Sequence, residues 1–357
     1  MRNETRVKFN AYCNRIALLN GVASAAVSFN VAPTVQQKLE SNLLESSGFM
    51  KRINVVPVRD LKGAKLGLGN TGPIASRTKT STGQRRKTRA THTLDKRGYE
   101  CHKTNFDTHI RYETLDSWSE FPDFETRVRD HCVQQQGLDR LIIGWNGTHV
   151  ADDTDIDEYP LLQDLNIGWL QILREEAPAQ VMQGINTAPE GQPAVYRPIR
   201  VGPGGDYANM DALVTDAIML MEPQYREDTG LEAICGRELL HDKYFPVINQ
   251  DHKPSETLAA QTVVAQKRMG NLPATTQPYF PAASTLITRP DNLSIYWQKG
   301  ARRRHMKDVP EADQIENYES SNDAYVVERI GGAVLVENIE FGDWSQPAEP
   351  TEPEGQG

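Results

Sequence analysis

Three stretches of this chain have the residue types and spacing that hold phosphate or calcium. Gly67-Leu68-Gly69-Asn70-Thr71-Gly72 spells G-x-G-x-x-G, in which the glycines let a pyrophosphate approach a helix N-terminus. Pro73 and a polar basic run follow where that helix would have to start, and no acid stands about 20 residues on, so the dinucleotide reading is rejected. Gly202-Pro203-Gly204-Gly205 precedes a predicted helix, but Asp206, read as its N-cap, would repel an anion, and the segment reads as a tight turn. Asp153, Asp155 and Asp157 have the spacing of calcium-loop ligands. Glu158 occupies the place of the turn glycine and Asp164 that of the bidentate glutamate, which leaves an acidic surface loop. Arg302-Arg303-Arg304-His305 lacks the interleaved rings that stack on bases, and it reads as a subunit contact or solvated turn. Cys13, Cys101, Cys132 and Cys235 are far apart, without C-x-x-C or zinc-ligand spacing, and read as reduced thiols. No G-x-S-x-G, H-E-x-x-H or Walker-type sequence occurs. The sequence nominates no catalytic residue, metal ligand or cofactor.

The element on which the chain is organised is the block 267–341. Leu286, Ile287, Leu293, Ile295, Tyr296 and Trp297 lie in runs bounded by Pro281, Pro290 and Gly300, and Tyr325-Val326-Val327 and Val334-Leu335-Val336 flank Gly331-Gly332. These predict short strands in one small sheet, which needs an apolar cover on one face. The cover is a spine helix over 122–145, with Phe124, Val128, Cys132, Gln135, Leu138 and Ile142 as its stripe. About 24 residues at 1.5 Å each span ~36 Å, enough to back a sheet.

Upstream, Val7, Phe9, Tyr12, Cys13, Ile16 and Leu19 predict an amphipathic first helix, and the small-residue linker after it marks a partner-binding or removable segment. Helix is predicted over 35–44 and strands over 49–58 and 106–114. Downstream, helices over 161–178, 206–223, 236–245 and 255–270 and a buried strand over 231–235 make a mixed α/β lobe, and 346–357 reads as a disordered Pro/Glu-rich tail.

The 357 residues carry a formal charge of −9 and are 38% apolar, with 26 glycines and 21 prolines, and mean hydropathy is −0.57. This suits an extended chain rich in loops and arms more than a compact enzyme. No run approaches membrane-spanning length and no apolar signal core opens the chain, which predicts a soluble product with no membrane partner. Residues 62–97 hold ten bases against Asp95 alone, so that segment is +9 and the remainder −18. A cationic arm laid on a neighbour's anionic body favours head-to-tail association of identical chains.

Asn271-Leu272-Pro273, Tyr279-Phe280-Pro281-Ala282, Asn292 to Trp297, Asn317 to Ser320 and Tyr325 to Glu328 resemble the closing half of the major capsid proteins of P2-like tailed bacteriophages. So do residues 45–58, 162–171, 204–207 and 242–246. The resemblance implies an α+β HK97-like capsid fold. Its parts would be an N-terminal scaffold-interacting segment (1–30), an N-terminal arm (31–60), an extended basic β-hairpin loop (61–104), a peripheral domain (105–170 and 285–345) and a mixed α/β axial domain (171–284). It implies a virion protein, built in the host bacterial cytoplasm, that forms hexamers and pentamers of an icosahedral head. Its partners would be an internal scaffold carrying a protease, a portal at one vertex and packaged double-stranded DNA bound non-specifically. The uncharged run 27–32 is the expected accessible place for processing, with the cut between Phe29 and Asn30. Arg85, Arg86, Lys87 and Arg89 are the expected inter-subunit contacts. A cargo-compartment shell of the encapsulin kind shares the fold, and a two-lobed α/β enzyme is the third reading.

Overall fold

The computed structural model describes residues 1–64, 68–70, 75–78, 85–86, 88, 92–94, 97–121, 123–189, 195–248 and 267–345. The chain divides into two compact units, Met1–Trp169 with Leu293–Arg329, and Leu170–Asn292 with Ile330–Gly357.

The first unit begins with helix α1 (Asn3–Asn20), which stops at Gly21, where φ is +66° and the backbone N–H bonds back to Ala17 and Leu18. A two-residue strand β1 (Phe29–Asn30) leads to α2 (Pro33–Ser46), which has proline in its first turn. Strands β2 (Asn54–Val58), β3 (His102–Asn105) and β4 (Thr108–Arg111) precede the helices α3 (Tyr112–Trp118) and α4 (Phe124–Asn146). After the second unit the chain returns as β5 (Leu293–Gln298), β6 (Arg303–Val309) and β7 (Gln314–Val327). The seven strands form one sheet, in the order β1-β6-β7-β5-β2, with β3 and β4 pairing successive parts of β7. The 14-residue β7 is its axis. Ile315, Asn317, Glu319, Ser321 and Asp323 alternate as buried residues, so one face of β7 is covered by α4 and the other is open along its first half.

The long helix runs from Phe124 to Asn146 where 122–145 was expected, and its first half follows the expected stripe: Phe124 and Cys132 are buried. Val128 lies in the helix, but its side chain falls outside the described residues. Beyond Cys132 the stripe needs correcting. Gln135 is exposed and Leu138 half-buried, whereas Val133, Gln136, Arg140, Leu141, Ile142, Ile143 and Trp145 are buried. Here the helix is flanked by the sheet, by α2 and by Trp169, so burial spreads around it and a single 3.6-residue stripe no longer describes it.

The second unit holds a six-stranded mixed sheet in the order Arg268–Met269, Leu272–Thr276, Glu232–Cys235, Thr285–Thr288, Ala333–Val336, Val181–Met182. Its core packs Ile287, Val334 and Val336 with Leu213, Val214 and Ala217 of the helix Met210–Ile218. The closing block is therefore two sheets rather than one, and the expected segment 285–345 is shared between the units. Tyr325 pairs with Ile295 in the first unit and Val334 with Ile287 in the second, so the two runs around Gly331-Gly332 are not a hairpin. Thr285–Thr288 and Ala333–Val336 are buried on both faces, a pattern that shows a strand's depth but not which sheet receives it.

Other expectations change as well, and the strand expected over 106–114 is only Thr108–Arg111 because Tyr112 already opens α3. The helix expected over 161–178 spans only Trp169–Glu176, because Leu162 has φ +56° and Asn166 is drawn out of helical geometry to donate to the Asp323 carbonyl. Asp206 is not a cap: Asn209 caps Met210–Ile218 by accepting from the Ala212 N–H at 2.9 Å, while Asp206 forks with Arg197 at 2.5 and 2.7 Å. In place of a helix over 255–270, Arg268–Met269 is a strand, and 249–266 lies outside the described residues.

Candidate assembly site

The largest concentration of buried charge is in the first unit, where α2, α4 and the helix-side face of the sheet meet. Gln36, Glu40 and Leu43, spaced to share one face of α2, are all buried, and two of the three are polar. Glu40 reaches Arg140 of α4 at 2.6 Å and Arg302, just ahead of β6, at 2.8 Å. Arg140 also meets Asp323 of β7 at 3.0 Å, and Arg302 meets Glu319 of β7 at 2.7 Å. Gln136 closes the ring by accepting from Arg302 at 2.6 Å and donating to Glu319 at 2.9 Å. Both arginines are fully buried, so each carboxylate and guanidinium here has exchanged water for protein partners. Arg302 thus corrects the expectation for the run 302–305: its side chain is neither a subunit contact nor solvated.

Burial opposes ionisation of Glu319, but Arg302 and Arg304, with hydrogen bonds from Gln136 and Arg302, outweigh it and hold the carboxyl down at about 2. Asp323 moves the other way, raised by burial and by Glu40 against the pull of Arg140. A depressed acid stabilises the fold above its unfolded pKa, and that stabilisation is lost as pH falls through the folded value. The unassembled subunit should therefore lose about 3 kcal/mol through Glu319 between its ordinary value of 4.5 and about 2. Urea unfolding across that range checks this, and Glu319→Gln should flatten the acid limb by a similar amount. An unchanged limb in the variant would show that Glu319 is not the responsible group.

Residues 1–31 lie against the same side of the sheet and along its edge. Phe9, Tyr12 and Ile16 of α1 pack with Tyr112, Leu115, Phe124, Met306 and Ile315. Arg6 and Tyr112 both bond Asp308, and Thr5 donates to Ser119 at 3.0 Å in a buried contact. Val7, Leu18 and Leu19 point to solvent, so α1 is docked by only part of its expected stripe. Phe29 pairs with Arg304 and Asn30 with Arg303 on β6, while Met306 N–H donates to Ala25 at 3.0 Å and Val31 N–H to Arg302 at 2.9 Å. The expected accessibility of 27–32 is corrected at two residues: Val27, Ser28 and Asn30 are exposed, but Phe29 and Val31 are buried, Phe29 within an edge strand pair.

Of the other expected site residues, Cys132 lies 3.8 Å from the Thr108 hydroxyl and Ile142 is buried in α4. Arg85 and Arg86 are exposed, and Lys87 and Arg89 lie outside the described residues. In the basic excursion Lys62–Ala64 pairs with Gly98–Glu100 and Leu68–Asn70 with His92–Leu94, so Gly69 sits in a strand. Among the described residues no group of three or more His, Cys, Asp or Glu is placed to hold a metal ion, and no helix is long and apolar enough to cross a membrane.

A long helix under a sheet in one unit, a mixed sheet with its own helices in the other and a paired basic excursion are the parts of an HK97-like α+β shell subunit. The chain belongs to the P2 family of phage major capsid proteins, whose family model matches residues 8–339. It is 49% identical over 354 residues to the capsid proteins of Escherichia phage P2, covering 98% of this chain and 99% of the relative. It is 39% identical over 347 residues to the major capsid protein of Serratia phage KSP20, covering 96% and 98%. Among solved structures it is similar to a chain of the satellite phage P4 procapsid that includes the size determination (Sid) protein, with TM-score 0.79, 45% identity, and 96% and 100% of the two chains covered. The protein is a structural, non-enzymatic component of the virion that self-assembles into the phage shell.

Proposed function

We propose that this major capsid protein assembles as hexamers and pentamers on an internal scaffold, that residues 1–30 hold the scaffold, and that a scaffold-linked protease then removes them. The finished head encloses double-stranded DNA, which the shell contacts non-specifically, and carries a portal at one vertex. The observation behind the processing step is the layering of the first unit. The charged ring of Glu40, Arg140, Arg302, Glu319 and Asp323 draws no member from residues 1–30, so loss of that segment leaves the ring whole. α1 and β1 are an outer layer held by one cluster, a few polar contacts and a short edge pairing.

Intact-mass measurement on subunits from mature particles tests this. The expected start is Asn30; a start at Met1 or Arg2 would sink processing, and a cut outside 27–32 would refute the site alone. The arm's role has its own test. Replacing Arg85, Arg86, Lys87 and Arg89 by Glu should block particle formation while the chain stays folded, because exposed attraction of a basic arm to an acidic body sets encounter and partner choice. Normal particles from that variant would exclude the arm as the contact.

A further inference from the structure

Strand pairing gathers a cationic surface that no stretch of sequence shows. On the open face of the first unit's sheet, opposite α4, Arg303 stands across from Ser320, Lys307 and His109 flank Glu316, Arg111 stands across from Gln314 and Lys103 across from Asn322. Directly paired residues share a face, so the four bases Lys103, Arg111, Arg303 and Lys307, contributed by β3, β4 and β6, lie on one side with His109. All four are exposed, and none makes an ion pair or side-chain hydrogen bond among the described residues. His305 of β6 stacks on Tyr318 of β7 in their midst, with ring centroids 5.8 Å apart and planes at 20°. Three carboxylates lie there as well, and one of them, Glu100, lines the same cleft as Lys103 and Arg303 and is paired with Lys62 at 2.6 Å. Glu316 accepts from Tyr318 and Gln314, and Asp107 accepts from the Glu319 N–H. The face is therefore net positive on a body that carries −18 outside its basic arm.

We propose that this face docks the acidic segment 152–158 of a second copy of the chain. That segment reads Asp-Asp-Thr-Asp-Ile-Asp-Glu and every one of its residues is exposed. Bodies of like charge repel except where a patch of the opposite sign meets an acidic stretch, so this pairing selects one approach among many. Packaged DNA is the other polyanion available. The preference for protein rests on the proposed function: α1, read there as facing the internal scaffold, packs on the α4 side of the sheet through Met306 and Ile315, so the cationic face looks away from the interior.

A charge-swap cycle in the full-length chain, co-expressed with its scaffold, tests the contact. One variant carries Lys103→Glu, Arg303→Glu and Lys307→Glu. A second carries Asp152→Lys, Asp153→Lys and Asp157→Lys, leaving Asp155, which caps its own turn by accepting from the Asp157 N–H. A third combines both. Each reversal alone should lower particle yield at least about tenfold, and the combination should return it to within about threefold of the parent, because only a direct contact is rescued by reversing both signs. All three should melt with the parent, since the changed side chains are exposed. A combined variant no better than its parts, or single reversals that assemble normally, would overturn the proposal. So would normal shells of the first variant with reduced nucleic-acid content, which would make the face a DNA surface. Interior placement of α1 is judged separately, by whether crosslinks to the scaffold fall on residues 1–30, a result independent of these substitutions.

Discussion

Arg140→Ala is expected to destabilise the subunit by about 3–5 kcal/mol and to abolish shell formation, because it strips one partner from a desolvated charge cluster. Its guanidinium is fully buried and ties α4 to two other elements: to α2 through Glu40, and to β7 through Asp323, which accepts in turn from the Ser321 hydroxyl at 2.9 Å. The Arg140 carbonyl also accepts from the Tyr325 hydroxyl at 3.0 Å, so the helix is pinned to the strand on both sides of that residue. Removing the side chain leaves Asp323 facing Glu40 with Arg302, already bound to Glu40 and Glu319, as the neighbouring cation. Asp323, already raised by burial, should then rise further, and melting of the variant should become more acid-favoured than that of the parent. Adding Asp323→Asn should recover part of the loss, because it removes the charge that Arg140 balanced. A variant that melts like the parent would mean that water reaches the cluster.

Much of the first unit was legible, and the reasons for what was not are physical. Phe124, Cys132 and Ile142 marked α4 because apolar residues at helical spacing on a half-buried helix leave a period to read. The charged ring was missed because Glu40, Gln136, Arg140, Arg302, Glu319 and Asp323 come from three elements and the turn before β6, and Glu40 meets Arg302 across 262 positions of sequence. A weaker pattern did point to it: Glu319, Ser321 and Asp323 alternate along a strand, and Gln136 and Arg140 are four apart on the helix predicted to cover it. Polar side chains at facing positions of two covered surfaces require one another. Arg302 was misjudged because a run of four basic residues was treated as one environment. Within a strand, alternation sends Arg303 and His305 to the open face and Arg304 to the helix side, while Arg302, just before it, is swallowed whole.

Gly144→Ala should cost about 3 kcal/mol or more, at the upper end for overpacking, because the new methyl has nowhere to go. A Cβ at Gly144 would fall 2.3 Å from Cζ3 and 2.6 Å from Cε3 of Trp169. Trp169 is itself fixed. It is fully buried, its indole N–H donates to the Ser294 carbonyl at 3.0 Å, and its ring meets Trp145 and Tyr325 edge-on with centroids 4.9 and 5.3 Å away. Phe49 extends the cluster at 5.4 Å from Trp145, so a shift of Trp169 is passed from α4 to β5, β7 and the turn before β2. Trp169→Leu alone should cost about 2–4 kcal/mol from the cavity and the orphaned Ser294 carbonyl. The two changes together should cost less than their sum by at least about 1 kcal/mol, since the smaller side chain vacates the space the methyl needs. Urea unfolding of the four proteins in that cycle reads the coupling directly. Additive losses would mean that Gly144→Ala acts by bending α4 and not by striking Trp169.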